Sequence, residues 1–257
     1  MTNTTQISKK LHIVTKIHRE PAVTVLLIHG LASSSNTWHQ LSKDLFLEGY
    51  NVIAPDLYGH GKSSRLEKYS VEEWASSIIE AIPMKPDVII GHSIGGLVAA
   101  EIQTQLKAPK LILLDPVFFL PTNKLLLTSI QISFKEIMRS ASYYNRRSKN
   151  KILADKIIRR REFLNFIRWD TSSTQALKPS PKTIIACIKE QSAKILIIHA
   201  HRSYIAPRHR LKKAIEYNAK VVSIKGGHNL HIEKYPAIKE EVLSFLGKTR
   251  TETSVAV

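Results

Sequence analysis

A serine lies between two glycines in the pentapeptide Gly91-His92-Ser93-Ile94-Gly95, and apolar segments flank it on both sides. The preceding residues, Val88 to Ile90, are typical of a short buried strand, and the segment from Ile94 to Leu106 is typical of a helix. A tight strand-to-helix turn exposes the serine hydroxyl, and the two glycines leave room for such a turn. The pentapeptide therefore predicts a nucleophile at Ser93, with the amide of Ile94 facing any oxyanion formed there.

Short runs rich in Val, Ile and Leu alternate with helical patterns along most of the chain. The runs are Val23 to Ile28, Val52 to Ala54, Val88 to Ile90, Leu111 to Leu114, Ile195 to Ile198 and Val221 to Ile224. Such runs are typical of parallel strands that are covered by helices on both faces. Residues 10–17 alternate in polarity and predict an antiparallel edge strand. The sequence therefore predicts the α/β class, with a doubly wound, mostly parallel sheet.

The alternation stops between residues 117 and 182, where the chain is helical in pattern, basic and without strand-like runs. We predict that 117–182 forms a helical cap or lid, inserted into a core made of 1–116 and 183–247. Residues 248–257 are predicted to be a flexible tail. Ligands bind at the ends of the strands in open α/β sheets, so a cap at this point would lie over the site.

The net charge of +17 is concentrated in the same region, because the segment from Pro116 to Asp170 carries twelve basic and four acidic residues. No nucleic-acid-binding motif accompanies this charge, so no specific nucleic acid partner is predicted. Two interpretations remain open. In the first, the basic cap is a solvated surface. In the second, it attracts an anionic small-molecule substrate, and contact with a membrane surface is a weaker form of this second interpretation.

The N-terminal residues lack the basic and apolar pattern of a signal peptide, and no apolar run is long enough to span a bilayer. The single cysteine, Cys187, excludes a disulfide framework and is expected to be buried. These features predict a cytoplasmic protein. No group of Cys, His or carboxylate residues has the spacing of metal ligands, so no metal or cofactor is expected. Nothing indicates an oligomeric state.

Four separated segments resemble motifs of the α/β-hydrolase fold family, and the resemblance covers most of the chain outside 117–182. They are His29-Gly30-Leu31, similar to the oxyanion loop; Asp56 to Ser63, similar to a D-x-x-G-H-G-x-S turn; the pentapeptide around Ser93; and Gly226 to Leu230, similar to the loop of the catalytic histidine. The resemblance implies that His228 lies beside Ser93 and accepts its proton. It also implies an oxyanion hole formed by the amides of Leu31 and Ile94.

The position of the third triad residue departs from the family pattern. The acid usually follows the strand at 195–198, in a segment resembling H-G-x-x-D-x-x-x-P, but the matching residue here is Ser203. In one explanation Asp115, at the end of the preceding strand, acts as the acid, as in family members that carry it one strand earlier. In the other, His228 has no charged partner and is oriented by Ser203 or by water, and activity is weak, altered or absent.

The other histidines near these motifs are assigned structural positions. His92 is expected to point away from the active face, and His231 to lie at the surface or to face the cap. His29 is expected to brace its loop, and His60 and Asp56 to stabilise their own turn.

Together these features predict a cofactor-free serine hydrolase of the esterase type that acts on a small ester or thioester. Ser93 would form the acyl-enzyme, and His228 would act first as general base and then as general acid. Two alternatives remain open. One is a non-hydrolytic lyase or a C–C bond hydrolase on the same fold. The other is a catalytically degraded protein that binds a small ligand, because Ser203 occupies the usual acid position.

Overall fold

A single seven-stranded sheet forms the centre of the molecule in the computed structural model. The structure describes residues 9–118, 164–165, 168–177, 184–190, 193–201, 203, 205–206 and 208–248. The strands are β1 (Ile13–Lys16), β2 (Thr24–Ile28), β3 (Asn51–Pro55), β4 (Val88–His92), β5 (Lys110–Leu114), β6 (Lys194–Ala200) and β7 (Lys220–Ile224). Their order across the sheet is β1-β3-β2-β4-β5-β6-β7.

All neighbouring strands run parallel except β1, which pairs antiparallel with β3. Strands β2, β3 and β4 are buried along their whole length, as expected for strands that are covered on both faces. The predicted mostly parallel sheet and its antiparallel edge strand are therefore confirmed.

Helices cover both faces of the sheet. They are α1 (His39–Leu47), α2 (Val71–Ala81), α3 (Ile94–Leu106), α4 (Ile184–Glu190), α5 (Arg208–Glu216), α6 (Leu230–Glu233) and α7 (Tyr235–Leu246), with 3₁₀ helices at Ser35–Trp38 and Thr171–Leu177. Residues of α2, α3, α4 and α5 pack on one face in a core that includes Trp74 and Val98. Residues of α1 and α7 pack on the other face, where Leu45 and Val242 are fully buried. The sheet is thus doubly wound, and none of the described helices is long and apolar enough to cross a membrane.

Most of the predicted cap, and the predicted tail after Lys248, lie outside the described residues. Two described pieces of 117–182 contact the core. The hydroxyl of Ser34 donates a hydrogen bond to Asn165 at 2.8 Å, and the hydroxyl of Tyr69 donates one to Asp170 at 2.7 Å. Asn165 and Asp170 are therefore attached to the segments that follow β2 and β3.

The parallel order of β4, β5, β6 and β7 determines where the site forms. Ser93 follows β4, Asp115 follows β5, and the loop that contains His228 follows β7. Parallel strands end at the same edge of a sheet, so residues more than 100 positions apart in sequence meet there.

Candidate active site

The backbone at Ser93 has an unusual conformation, with φ 56° and ψ −122°. Positive φ is uncommon for a residue other than glycine and is found where the surrounding structure enforces it. Here the turn is closely packed, because a methyl group at Gly91 would meet the carbonyl oxygen of Gly95. A methyl group at Gly95 would meet the backbone carbonyls of Ile28 and His29. The two glycines therefore allow the tight turn predicted from the sequence, with Ser93 at its corner.

The side chains of Ser93, His228 and Asp115 form a continuous hydrogen-bonded path. The hydroxyl of Ser93 lies 2.8 Å from Nε2 of His228, and Nδ1 of His228 lies 2.6 Å from Oδ2 of Asp115. A carboxylate only accepts hydrogen bonds, so Nδ1 carries the proton. Nε2 is then left as the acceptor that a general base requires.

Asp115 is fully buried, and four groups surround its carboxylate. Besides His228, the amide of Ala200 donates to Oδ1 at 3.1 Å and Nδ1 of His199 donates to it at 3.3 Å. Burial alone would raise the pKa of Asp115, but hydrogen bonds from His199 and His228, the charge of His228 and the Ser203 hydroxyl lower it to about 2. Asp115 is therefore an ionised carboxylate, which the Ser203 hydroxyl helps to stabilise.

The two sequence explanations for the acid make different demands on this geometry. The first requires Asp115 to reach His228, and the carboxylate contacts the imidazole directly. The second requires His228 to lack a charged partner, which the structure contradicts. Asp115 reaches this position because β5 and β6 are neighbours and because its own φ of 40° turns the chain at the strand end.

The two residues whose amides are expected to form an oxyanion hole both lie near Ser93. Ile94 is the first residue of α3, and amides in the first turn of a helix have no acceptor within that helix. Leu31 lines the same pocket as Ser93 and His228. The backbone of Gly95 packs against the carbonyl of His29, which brings the start of α3 close to the loop that contains Leu31.

The fold agrees with comparisons to known proteins. A sequence profile described as "Alpha/beta hydrolase family" matches residues 25–238. The chain belongs to the alpha/beta hydrolase family. Among solved structures, an enol-lactonase from Burkholderia xenovorans LB400 superposes with a TM-score of 0.75 over 93% of this chain and 97% of that protein, at 15% identity. A thioesterase domain from the curacin biosynthetic pathway gives a TM-score of 0.66 over 91% of this chain and 95% of that domain, at 23% identity.

A curated relative of this α/β hydrolase is the lipase LipV of Mycobacterium tuberculosis, which is 33% identical over 97 residues. The match covers 36% of this chain and 36% of LipV. The matched segments span between 18% and 36% of the lengths of such relatives, so they share part of the chain and not its whole length.

Two histidines lie where the sequence did not predict them. His92 was expected to point away from the active face, and this prediction is wrong. Its ring lies in the pocket wall, 4.7 Å from the ring of His228, with Nε2 3.0 Å from the carbonyl oxygen of His228. His231 was expected at the surface or facing the cap, but it is buried against His92 and Trp38, with Nε2 2.8 Å from the hydroxyl of Thr37.

The structural roles predicted for Asp56 and His29 are confirmed. Asp56 accepts hydrogen bonds from the amides of Ser35 and Lys62, and so holds its own turn. His29 accepts one from the amide of Leu57 and so braces the loop beside it. His199 was not predicted, although it opens the segment in which the usual acid was sought.

Among the described residues, no group of three or more His, Cys, Asp or Glu side chains is arranged to hold a metal ion. Cys187 is buried, as expected, and its thiol donates to the carbonyl oxygen of Ala100 at 3.3 Å.

The buried histidines predict that the protein loses stability below neutral pH. Burial lowers the pKa of His60 and His231 from 6.5 to about 3, and repulsion from His29 and His228 respectively adds to the effect. As the pH falls below 6.5, these histidines bind protons in the unfolded chain but not in the folded protein. The free energy of unfolding is therefore highest above pH 6.5 and decreases progressively toward pH 3. Each such histidine lowers the free energy of unfolding by up to about 1.4 kcal/mol for each pH unit in this range. Urea denaturation at pH 7.5, 6.0 and 5.0 measures the slope.

Two variants provide the controls for this prediction. His60→Gln removes one buried site, so its unfolding free energy is expected to fall less steeply between pH 6.0 and 5.0. His201→Gln removes an exposed histidine and is expected to keep the wild-type slope. Equal slopes in all three proteins would contradict the prediction. The lowered pKa of Asp115 takes effect only below about pH 4 and so leaves this window unchanged.

Proposed function

We propose that this α/β hydrolase is a serine hydrolase that cleaves a small ester or thioester through an acyl-enzyme at Ser93. The observation that supports this most is the path from the Ser93 hydroxyl through His228 to Asp115, with contacts of 2.8 and 2.6 Å. A serine hydroxyl is a weak nucleophile until a base accepts its proton, and the path provides that base in the required tautomer.

The chemistry proceeds in two halves. As Oγ of Ser93 attacks the substrate carbonyl carbon, its proton passes to Nε2 of His228, and Asp115 stabilises the imidazolium. The amides of Leu31 and Ile94 donate to the oxyanion of the tetrahedral intermediate. The intermediate collapses when His228 returns the proton to the departing alcohol or thiol. Water then attacks the acyl-enzyme by the same route, which releases the acid and restores Ser93.

The geometry supports hydrolysis over the interpretation as a degraded binding protein. That interpretation depended on the serine at position 203, because an uncharged partner would leave the imidazolium unstabilised. Asp115 contacts His228 and would supply the charged partner that this interpretation assumed to be missing. The names of the similar proteins, an enol-lactonase, a thioesterase domain and a lipase, support ester or thioester substrates as a class.

The cap, the charge of the substrate and the cellular location are also proposals. We propose residues 117–182 as the cap, and an anionic group on the substrate that is attracted by its basic residues. A membrane surface is the weaker alternative partner for the same charge. A cytoplasmic location is proposed because the chain has one cysteine, Cys187, and that thiol is buried.

Covalent labelling tests the proposed function. A fluorophosphonate probe is expected to label the purified protein at one site, identified by mass spectrometry as the peptide that contains Ser93. Ser93→Ala is expected to remain unlabelled, whereas Ser33→Ala, which removes another hydroxyl from the pocket wall, is expected to label normally. Turnover of p-nitrophenyl acetate and butyrate is expected to show the same pattern.

Isotope incorporation separates hydrolysis from the alternative lyase chemistry. With p-nitrophenyl butyrate in H₂¹⁸O, the butyrate product is expected to contain one ¹⁸O atom from the attacking water. If the probe does not label the wild-type protein and the protein hydrolyses neither ester, the serine hydrolase proposal is excluded.

A further inference from the structure

His92 connects three parts of the site, although the motif around Ser93, in which it lies, gives it no catalytic role. It is the residue before Ser93, and its Nε2 lies 3.0 Å from the carbonyl oxygen of His228. Its ring also lies against the loop that contains Gly30, where an added methyl group would come within 3.0 Å of Nδ1. One side chain therefore touches the loop of the base and the loop of the expected oxyanion hole, and its backbone adjoins the nucleophile.

The contact to His228 assigns the tautomer of His92. A backbone carbonyl oxygen only accepts hydrogen bonds, so Nε2 of His92 must carry a proton and donate it. Burial lowers the pKa of His92 well below its usual value, and the neighbouring His231 and His228 lower it further. The ring is therefore neutral and donates through Nε2 at every pH at which the catalytic base works.

A second layer keeps the ring of His92 in place. The ring of His231 lies 4.3 Å from it, and Nε2 of His231 is 2.8 Å from the hydroxyl of Thr37. Thr37 belongs to the 3₁₀ helix Ser35–Trp38, which follows the loop of Leu31. The two histidines thus bridge the loop after β7 and the segment after β2.

Two contacts help to set the orientation of His228. Asp115 holds its imidazole at Nδ1, whereas His92 holds its backbone at the carbonyl oxygen. A displacement of about 1 Å between a base and a nucleophile lowers the rate by roughly 100-fold. A buried carbonyl oxygen that loses its donor is also costly, so the loop is expected to move to find another one.

We propose that His92 is a positioning residue for the reaction, because its Nε2–H donates to the carbonyl oxygen of His228 and so fixes the base at hydrogen-bonding distance from Ser93. The proposal rests on the proposed function. It assigns to His92 a role that the catalytic motifs do not give it.

Two variants separate the donated hydrogen bond from the packing of the ring. His92→Gln places an amide nitrogen the same number of bonds from Cα as Nε2, so it retains a donor. His92→Met has a similar length and no donor. We expect His92→Met to lower kcat by about 10- to 100-fold with KM nearly unchanged, and His92→Gln to retain kcat within about threefold. The readout is kcat and KM for p-nitrophenyl butyrate.

A control variant excludes a general loss of stability. Ile78→Ala truncates a fully buried side chain of α2, away from the pocket residues, and is expected to lower the urea midpoint without lowering kcat more than about threefold. The proposal is overturned if His92→Met keeps the wild-type kcat, or if His92→Gln and His92→Met lose the same amount.

A spectroscopic measurement tests the contact without turnover. In ¹⁵N-histidine-labelled protein, we expect one neutral imidazole with its proton on Nε2, protected from exchange with solvent and unchanged in chemical shift between pH 5.5 and 8. This signal is expected to disappear in His92→Gln. Titration of this ring near neutral pH, or a proton on Nδ1, would overturn the proposal even in a protein inactive on esters. Inactivity of the wild type would refute the proposed function and not this contact.

Discussion

Asp115→Asn is expected to lower kcat for p-nitrophenyl butyrate by about 10⁴-fold while KM changes little, because the carboxylate acts on the histidine and not on the substrate. An asparagine amide that donates toward Nδ1 of His228 favours the tautomer with its proton on Nε2. That tautomer cannot accept the proton of Ser93. The neutral amide also fails to stabilise the imidazolium that forms during attack. Steady-state kinetics at pH 8, with circular dichroism to confirm folding, measure the effect.

Ser203→Ala is the matched control, because it removes a hydroxyl that helps to stabilise the carboxylate of Asp115 and leaves the carboxylate in place. Its kcat is expected to fall by less than about 10-fold, since the hydrogen bonds from Ala200 and His199 remain. The opposite result, a large loss in Ser203→Ala and a small one in Asp115→Asn, would identify Ser203 as the group that orients His228. The pair of variants therefore decides between the two explanations that the sequence leaves open.

The sequence predicts that Ser93 and His228 lie together because the signals that place them are local. The two glycines around Ser93 are required by contacts within the turn itself and with the adjoining loop. The loop of His228 follows a strand and contains two glycines, which is again a short-range pattern. The sheet was predictable for a related reason, since strands buried on both faces read as continuous apolar runs.

The partner of His228 could not be decided from the sequence because it depends on which strands are neighbours. Asp115 and His228 are 113 positions apart, and their contact requires β5 and β7 to flank β6. The sequence shows a carboxylate at the end of β5 but not the positive φ that turns it toward the histidine. Nor does it show that the hydroxyl of Ser203, at the usual acid position, helps to stabilise that carboxylate.

The position of His92 was mispredicted because strand alternation ends at the turn. Along β4, successive side chains point to opposite faces, and the residue before an exposed serine is then expected to point away from it. The φ of 56° at Ser93 breaks this alternation, so both side chains reach the same pocket. His231 lies on the four-residue helix α6, which is too short to show a helical pattern in the sequence.

Ser93→Ala and His228→Ala are each expected to lower kcat by about 10⁶-fold, and the double variant is expected to lose no more than either single one. The serine is not a nucleophile without its base, and the base has no proton to accept without the serine. Once one is removed, the other contributes nothing further. A double-variant cycle measures this with p-nitrophenyl butyrate at enzyme concentrations high enough to detect the residual rate.

The rate that remains in these variants tests the proposed oxyanion hole. All three variants are expected to retain a rate about 10³-fold above the uncatalysed reaction, because the amides of Leu31 and Ile94 still bind the oxyanion. His201→Ala, which removes an exposed histidine, is expected to match the wild type. If the losses in the two single variants multiplied in the double variant, Ser93 and His228 would act in separate steps. The hydrogen bond of 2.8 Å between them would then have a structural and not a catalytic role.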